Sequence, residues 1–324
     1  MQALVVHAFK PYKDHSVETV DAPALKPGHV RIAVEVAGVN FPDILMVEGK
    51  YQMKPPFPFI PGAEAAGVIT ELSDDVPHLK VGDRVGVMAQ TGAFATEIVA
   101  PKEVVWPCRD MPFDIAAGLA LVYGTSYHAL KQRAQLQPGE TVLVLGAAGG
   151  VGLAAVELAK AMGATVIAAA STDEKLTVCK QHGADHTINY TTEDLKSRAK
   201  ELSGGKGVDV VYDPVGDKFA EPAFRAMGWM GRYLVIGFAA GDIPKLPLNL
   251  PLLKSADIRG VFWGTWTMRD PKGHMENMGE LFAMYGAGRI KPRVSGHYPL
   301  EKFADAFDEL TSRRAMGKVI LTMR

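Results

Sequence analysis

Two patterns of apolar and polar positions divide the chain. Up to about residue 118 it reads as short strands and turns. MQALVVHAF is a short apolar strand, and Val30–Val39 alternates with period two before failing into an apolar run. Gly67–Glu71, Arg84–Met88 and Phe94–Val99 are further short strands. Lys26-Pro27-Gly28, Pro58 through Gly62 and Val81-Gly82-Asp83 mark the turns. From Ala116 onward helices alternate with buried strands. Thr141–Leu145 is apolar without alternation, as a parallel strand covered on both faces should be. Val208–Tyr212, Tyr233–Gly237 and Ile258–Phe262 repeat that character, with helical stretches such as Lys218–Met227 between them. The alternation predicts an α/β chain with a doubly wound parallel sheet.

After Trp263 the pattern gives a helix around Met275–Gly286, a strand near Gly296–Tyr298, a helix over Glu301–Thr311 and a last strand, Gly317–Thr322. That strand has no partner among its neighbours in sequence, so it is expected to complete the N-terminal domain. The expected division is 1–118 together with 264–324 as one domain and 119–263 as a second, inserted domain, with the active-site cleft between them.

The chemistry begins in TVLVLGAAGGVGLAAVELAKAMGATVIAAA, residues 141–170. It reads as strand, glycine-rich turn, helix and second strand. Gly149, Gly150 and Gly152, with Val151 among them, allow a sharp turn and the approach of a pyrophosphate to the helix N-terminus. There unpaired N–H groups and the helix dipole favour an anion. The first glycine of the usual dinucleotide pattern is Ala147 here, but the strand before and the helix after supply the context that the motif needs. Gly163 ends the helix.

Selectivity is read at the end of the second strand, where an NAD site usually carries Asp or Glu for the ribose 2′-hydroxyl. Here the place is Ala170-Ser171-Thr172, which is neutral. Ser171 and Glu174 have the spacing of a capping box, which puts Asp173 and Glu174 in the first turn of a helix. Lys175 follows, and Tyr190 ends the next short strand, Thr187–Tyr190. An ammonium, a hydroxyl and a phenol suit a 2′-phosphate, so NADPH is the expected cofactor.

Composition narrows the function classes. With 35 Lys and Arg against 36 Asp and Glu, there is no electrostatic footprint for nucleic acid or an anionic membrane. Two cysteines, Cys108 and Cys179, make no disulfide framework and no Cys-x-x-Cys. The opening strand does not read as a signal peptide and no run approaches spanning length, so a cytoplasmic location is expected.

GVNFPDIL (38–45), GKY (49–51), PGAEAAG (61–67), VGDRV (81–85), GTSYHAL (124–130), AAGGVG (147–152), DPVG (213–216) and GKVIL (317–321) follow one another along nearly the whole chain. In that order they resemble a zinc-free medium-chain dehydrogenase/reductase of the quinone oxidoreductase (zeta-crystallin-like) branch. The resemblance implies a GroES-like β-rich domain, a Rossmann domain, NADPH, and often a homodimer joined through the edges of the Rossmann sheets. Ile258–Trp263 is the expected edge strand, since open strand edges seek partners.

Zinc-bearing members place a Cys after the strand corresponding to Val34–Gly38 and a His before the Glu of PGxE. This chain has Asn40 and Ala63 there, and neither replaces a thiolate or an imidazole on zinc. The four-cysteine lobe is missing too, and His78, His128, His182, His186, His274 and His297 are scattered. The expected metal is none. Without a Lewis acid for an alkoxide, the remaining reactions are those of acceptors that delocalise charge. A quinone spreads it over a ring. An enone or enoyl thioester leaves an enolate that needs a donor.

The resemblance places Tyr51 where enoyl-thioester reductases carry a proposed proton donor and where quinone reductases carry a pocket wall. It places Asn40 by the nicotinamide ribose or the acceptor, with a turn cap as the plain alternative, and gives Asp43 a structural role. Thr125 would lie by the nicotinamide, and Gly237-Phe238 with Phe262-Trp263 would flank it. The two last aromatics serve equally as core or interface residues. Arg314 and Lys318 are positioned to approach a phosphate or acyl-CoA, or simply to be solvated. The reading is NADPH-dependent, zinc-independent reduction of a small-molecule quinone. The alternatives are an enone or acyl-CoA enoyl reductase using Tyr51 and, more weakly, a non-catalytic crystallin-like NADPH-binding protein.

Overall fold

The computed structural model describes residues 1–323 and divides into two compact units. The first comprises Met1–Leu121 and the chain from Pro292 on; the second is Val122–Lys291.

The first unit is built on His29–Val39. This strand pairs antiparallel with Glu64–Leu72, Glu97–Pro101 and Lys318–Thr322. The last strand therefore does complete the N-terminal sheet: Val319 faces Val39 and Leu321 faces Ala37. Period-two alternation in the central strand fails where the pairing register shifts between Val34 and Val36, since a bulge turns the later residues inward. Leu4, Ile32, Val34, Ile69, Val87, Phe94, Phe307 and Leu321 fill the interior. The helix Phe41–Val47 inside this strand-rich region has no helical periodicity in the sequence. It is set by a capping interaction, Asn40 N donating to Asp43 Oδ2 at 2.8 Å, with Pro42 in its first turn.

The second unit carries a six-stranded, wholly parallel sheet in the order His186–Asn189, Thr165–Ala170, Thr141–Leu145, Val208–Asp213, Met227–Val235, Asp257–Gly260. This is the doubly wound Rossmann order. Asp257–Gly260 is an edge strand, but Phe262 and Trp263, expected within it, leave the sheet and open the helix Trp263–Arg269.

The division at residue 263 needs correction. Residues 264–291 belong to the second unit, not the first. Tyr127 and Lys131 both bind the Glu280 carboxylate, Gln132 Nε2 donates to Asn277 Oδ1 at 2.9 Å, and the His128 ring stacks on Trp266 at 4.2 Å. Helical periodicity announces the helix Pro271–Gly286 but not the sheet or helix that receives it. No helix among the described residues is long and apolar enough to cross a membrane.

Candidate active site

In the second unit all six strands run the same way, so the chain emerges from their carboxyl ends along one edge of the sheet. Gly146–Gly152 follow Thr141–Leu145, Ser171 follows Thr165–Ala170, and Tyr190 follows His186–Asn189. Gly237 and Phe238 follow Met227–Val235, and Phe262 follows Asp257–Gly260. The strand order reverses at Thr141–Leu145, where an open α/β sheet leaves a crevice for a ligand.

The glycine turn has the tightness that a pyrophosphate cradle requires. A Cβ at Gly152 would lie 2.3 Å from Gly146 O and 2.9 Å from Ala147 Cα, so no side chain fits. Gly149 is the N-cap of the twelve-residue helix Gly150–Ala161. The N–H groups of Gly150, Val151 and Gly152 begin that helix and have no acceptor within it.

The expected capping box does not form. The helix Asp173–Gln181 starts one residue later than that box requires, and its N-cap is Thr172, whose hydroxyl accepts from Lys175 N at 3.3 Å. Ser171 is thereby left outside the cap, and its hydroxyl accepts from Lys175 Nζ at 3.3 Å. Asp173 is turned to Asn189, whose Nδ2 donates to its Oδ1 at 2.9 Å. Tyr190, half-buried, packs its ring 4.4 Å from Phe219. Ser171 and Lys175 are thus brought together at the strand end, and Tyr190 follows the adjacent strand.

Other residues of the unit are placed as follows. Thr125 is half-buried on the helix Phe113–His128. Phe238 packs over Gly216 in the loop whose turn Asp213 holds by accepting from Val215 N and Gly216 N at 2.7 and 2.9 Å. Phe262 is exposed. Trp263 is a core residue, seated against Gly124, where a Cβ would lie 2.5 Å from its ring.

In the first unit, Asn40, Asp43, Glu64 and Lys318 form a polar cluster in the interior, each at most 5% exposed. Lys318 Nζ donates to both Glu64 Oε1 and Asn40 Oδ1. Asn40 Nδ2 donates to Glu64 Oε1 at 3.0 Å and to Gly38 O at 3.3 Å. Glu64 Oε2 accepts from Leu121 N at 2.9 Å. Lys318 is therefore neither solvated nor poised for a phosphate, and Arg314 pairs with Glu309 at 3.4 Å. Burial pushes the Asp43 carboxyl up to about 7, against the opposing pull of the Asn40 amide and the Lys318 charge. Tyr51 packs half-buried on the same core, and burial, with the nearby Asp43, raises its phenol above the usual value. Sequence reasoning missed Glu64 and Lys318 as a pair. The available signal was a glutamate inside the apolar strand PGAEAAG, since a buried carboxylate demands a partner.

Residues 26–110 match the alcohol dehydrogenase GroES-like domain, and residues 150–282 match the domain described as zinc-binding dehydrogenase. A GroES-like fold paired with a Rossmann fold defines a protein of the alcohol dehydrogenase-like class. The chain is 39% identical to quinone oxidoreductase-like protein 2 homolog of Nematostella vectensis, over 93% of this chain and 83% of that one. The Pseudomonas syringae quinone oxidoreductase structure superposes with a TM-score of 0.92 at 31% identity, covering 99% of each chain. The Escherichia coli quinone oxidoreductase complexed with NADPH gives 0.92 at 29% identity, covering 99% of this chain and 100% of that one. The chain belongs to the medium-chain dehydrogenase/reductase family, among its quinone oxidoreductase-like members.

The residues do not fit the zinc in that domain's description. An amide and an alanine stand at the two expected ligand positions, Asn40 and Ala63. The Glu64 carboxylate is already committed to an ammonium and a backbone N–H. Burial raises the Cys108 thiol and pushes that of Cys179 up to about 12, away from the thiolate that zinc requires. No group of three His, Cys, Asp or Glu among the described residues is arranged to hold a metal ion.

Proposed function

We propose that this protein is an NADPH-dependent, zinc-independent oxidoreductase that reduces quinones. The observation that carries the reading is that neither Asn40 nor Tyr51 is set up to donate a proton to an enolate. Both N–H bonds of the Asn40 amide are spent on Glu64 and Gly38, and the neighbouring phenol of Tyr51 is held above its ordinary pKa by burial. An enolate needs a donor at its oxygen, whereas a quinone delocalises the added charge and takes its protons from solvent. NADPH, when bound, supplies the hydride. Gly149, Gly150, Val151 and Gly152 would hold its pyrophosphate, and Ser171, Lys175 and Tyr190 its 2′-phosphate. Thr125, Gly237, Phe238 and Phe262 would border the nicotinamide. In the first unit, Asn40 would touch the ribose and Tyr51 would wall the acceptor. The relatives' printed descriptions, quinone oxidoreductase and NADPH complex, support the same reading.

A homodimer is proposed with it. Asp257–Gly260 leaves one sheet edge open, and Leu248, Leu252, Leu253 and Ile258 are exposed in the segments around it.

The test is NADPH oxidation, with NADH in parallel, against 1,4-benzoquinone, 9,10-phenanthrenequinone, an enone and crotonyl-CoA. Turnover of the quinones alone, unaffected by a chelator, is the expected result. A preference for the enone or thioester would move the protein to the alkene reductases. NADPH binding with no turnover of any acceptor would leave a cofactor-binding protein.

Tyr51→Phe is expected to change quinone kcat by less than about twofold, because a phenol raised above pKa 10 is a poor acid. Steady-state kinetics on that variant decide the point. A loss of tenfold or more would make Tyr51 the proton donor.

A further inference from the structure

Two hydroxyls are enclosed in the interior of the second unit, where the sheet meets its covering helices. Ser126, on the helix Phe113–His128, and Tyr212, on the strand Val208–Asp213, are each fully buried. The residues around them in sequence, Val122, Ala129, Leu130, Val210 and Val211, are apolar and buried. Such packing has no need of a polar pair, since a buried hydroxyl costs free energy unless it is hydrogen-bonded. The two oxygens lie 2.8 Å apart, and Ser126 Oγ also lies 2.8 Å from Val122 O and 2.9 Å from Val151 O.

The direction of each proton follows. A carbonyl oxygen only accepts. Ser126 Oγ is the one hydrogen-bond partner of the Tyr212 hydroxyl among the described residues, and burial raises that phenol, which keeps its proton. Were Ser126 to donate to Tyr212, the phenol proton would be left buried without an acceptor. Tyr212 therefore donates to Ser126, and the serine proton is directed at the carbonyls of Val122 and Val151. Val122 stands one turn back in the serine's own helix, the usual place for a local back-bond. Val151 does not: it belongs to the first turn of the helix Gly150–Ala161.

Val151 C=O and Gly152 N–H are the two ends of one planar, trans peptide group, so they point in opposite directions. A hydroxyl that holds the carbonyl also sets the aim of the N–H. The Gly152 N–H opens its helix without an acceptor inside it, in the turn where a Cβ at Gly152 would lie 2.3 Å from Gly146 O.

We infer that Ser126 is a positioning residue for the dinucleotide's pyrophosphate, acting through the Val151–Gly152 peptide, with Tyr212 setting the direction of its proton. The inference rests on the proposed function, in which this glycine turn holds the cofactor's pyrophosphate. Ser126 also follows Thr125, so the same contact joins the turn to the helix that carries the residue proposed at the nicotinamide.

The double variant Ser126→Ala with Tyr212→Phe removes both hydroxyls together and leaves no buried donor unpaired. The two carbonyls keep the N–H partners of their own helices. Thermal unfolding should show a folded protein. Titration with three ligands then separates the parts of the site. NADPH and 2′-phospho-ADP-ribose carry the pyrophosphate, the latter without nicotinamide, and adenosine 2′-monophosphate has none. The first two should weaken on the order of tenfold, the scale of one hydrogen bond to a charged group, and the third should stay within about twofold. Tyr212→Phe alone keeps the serine proton on the carbonyls and should bind all three within about threefold of wild type. Ser126→Cys, similar in shape with a weak S–H donor, is a milder second variant and should show the same split between the ligands.

Unchanged NADPH binding in the folded double variant would overturn the inference. So would an equal loss for adenosine 2′-monophosphate, which general distortion of the unit would produce. A loss in Tyr212→Phe as large as in the double variant would take the role away from Ser126. A wild-type protein that binds neither NADPH nor 2′-phospho-ADP-ribose fails the functional reading itself and takes the inference with it, an outcome distinct from the others.

Discussion

Replacing Lys175 with alanine is expected to weaken NADPH on the order of 100-fold while leaving NADH within about twofold. A charge-assisted hydrogen bond to a phosphate contributes about 1.5–3 kcal/mol, and each 1.4 kcal/mol is a factor of ten in Kd. The geometry concentrates that contribution on one cofactor. Thr172 caps the helix, so Ser171 remains beside the Lys175 ammonium, and the strand end carries no carboxylate for a 2′-hydroxyl. Asp173, the nearest acid in sequence, is held by Asn189. Fluorescence titration of wild type and variant with both cofactors measures the effect. An equal loss for NADPH and NADH would remove the 2′-phosphate assignment, because only NADPH carries that group.

Asp43→Asn is expected to flatten the pH dependence of stability between pH 4 and 7. The folded-state value of Asp43 lies at about 7 against an ordinary 3.8. Between those values the folded protein holds a proton that the unfolded chain has lost, so this group's contribution to stability falls as pH rises. It is fully present below pH 3.8 and lost as pH passes through about 7. Three pH units correspond to about 4 kcal/mol at most. Glu64 adds to the upward shift and Lys318 opposes it, so the ionised cluster above pH 7 carries two carboxylates against one ammonium. Asparagine keeps an oxygen that can accept from Asn40 N and removes the charge. Thermal melts at pH 5 and pH 8 should show a wild-type Tm that drops more than that of Asp43→Asn. Parallel shifts in the two proteins would place the titration elsewhere.

Local signals carried much of this protein. Thr141–Leu145 and Arg84–Met88 appear as strands at their expected boundaries because an unbroken apolar run and a flanking turn both depend on neighbours in sequence. The glycine turn was legible for the same reason: its tightness is a property of a few consecutive residues. Asn40 and Ala63 were legible as poor zinc ligands at the two positions that the family resemblance marks, since that judgement needs only the chemistry of an amide and a methyl group.

Other features depended on residues far apart in the chain. The spacing to Glu174 pointed to Ser171 as the cap, and the cap is Thr172 because the backbone turns from β to α there. The helix Pro271–Gly286 was visible, but its attachment to Tyr127, Lys131 and Gln132 was not, since amphipathic spacing does not name the receiving surface. Lys318 looked like a solvated or phosphate-seeking base at the chain's end. Its placement required strand Lys318–Thr322 to pair with His29–Val39 and two glycines to clear a path to Glu64. By itself the sequence determined the sheet types and the tight glycine turn after Thr141–Leu145, both properties of short segments. Only the tertiary structure decided which charges meet in the interior, because desolvation and pairing are settled by residues 254 and 278 positions apart.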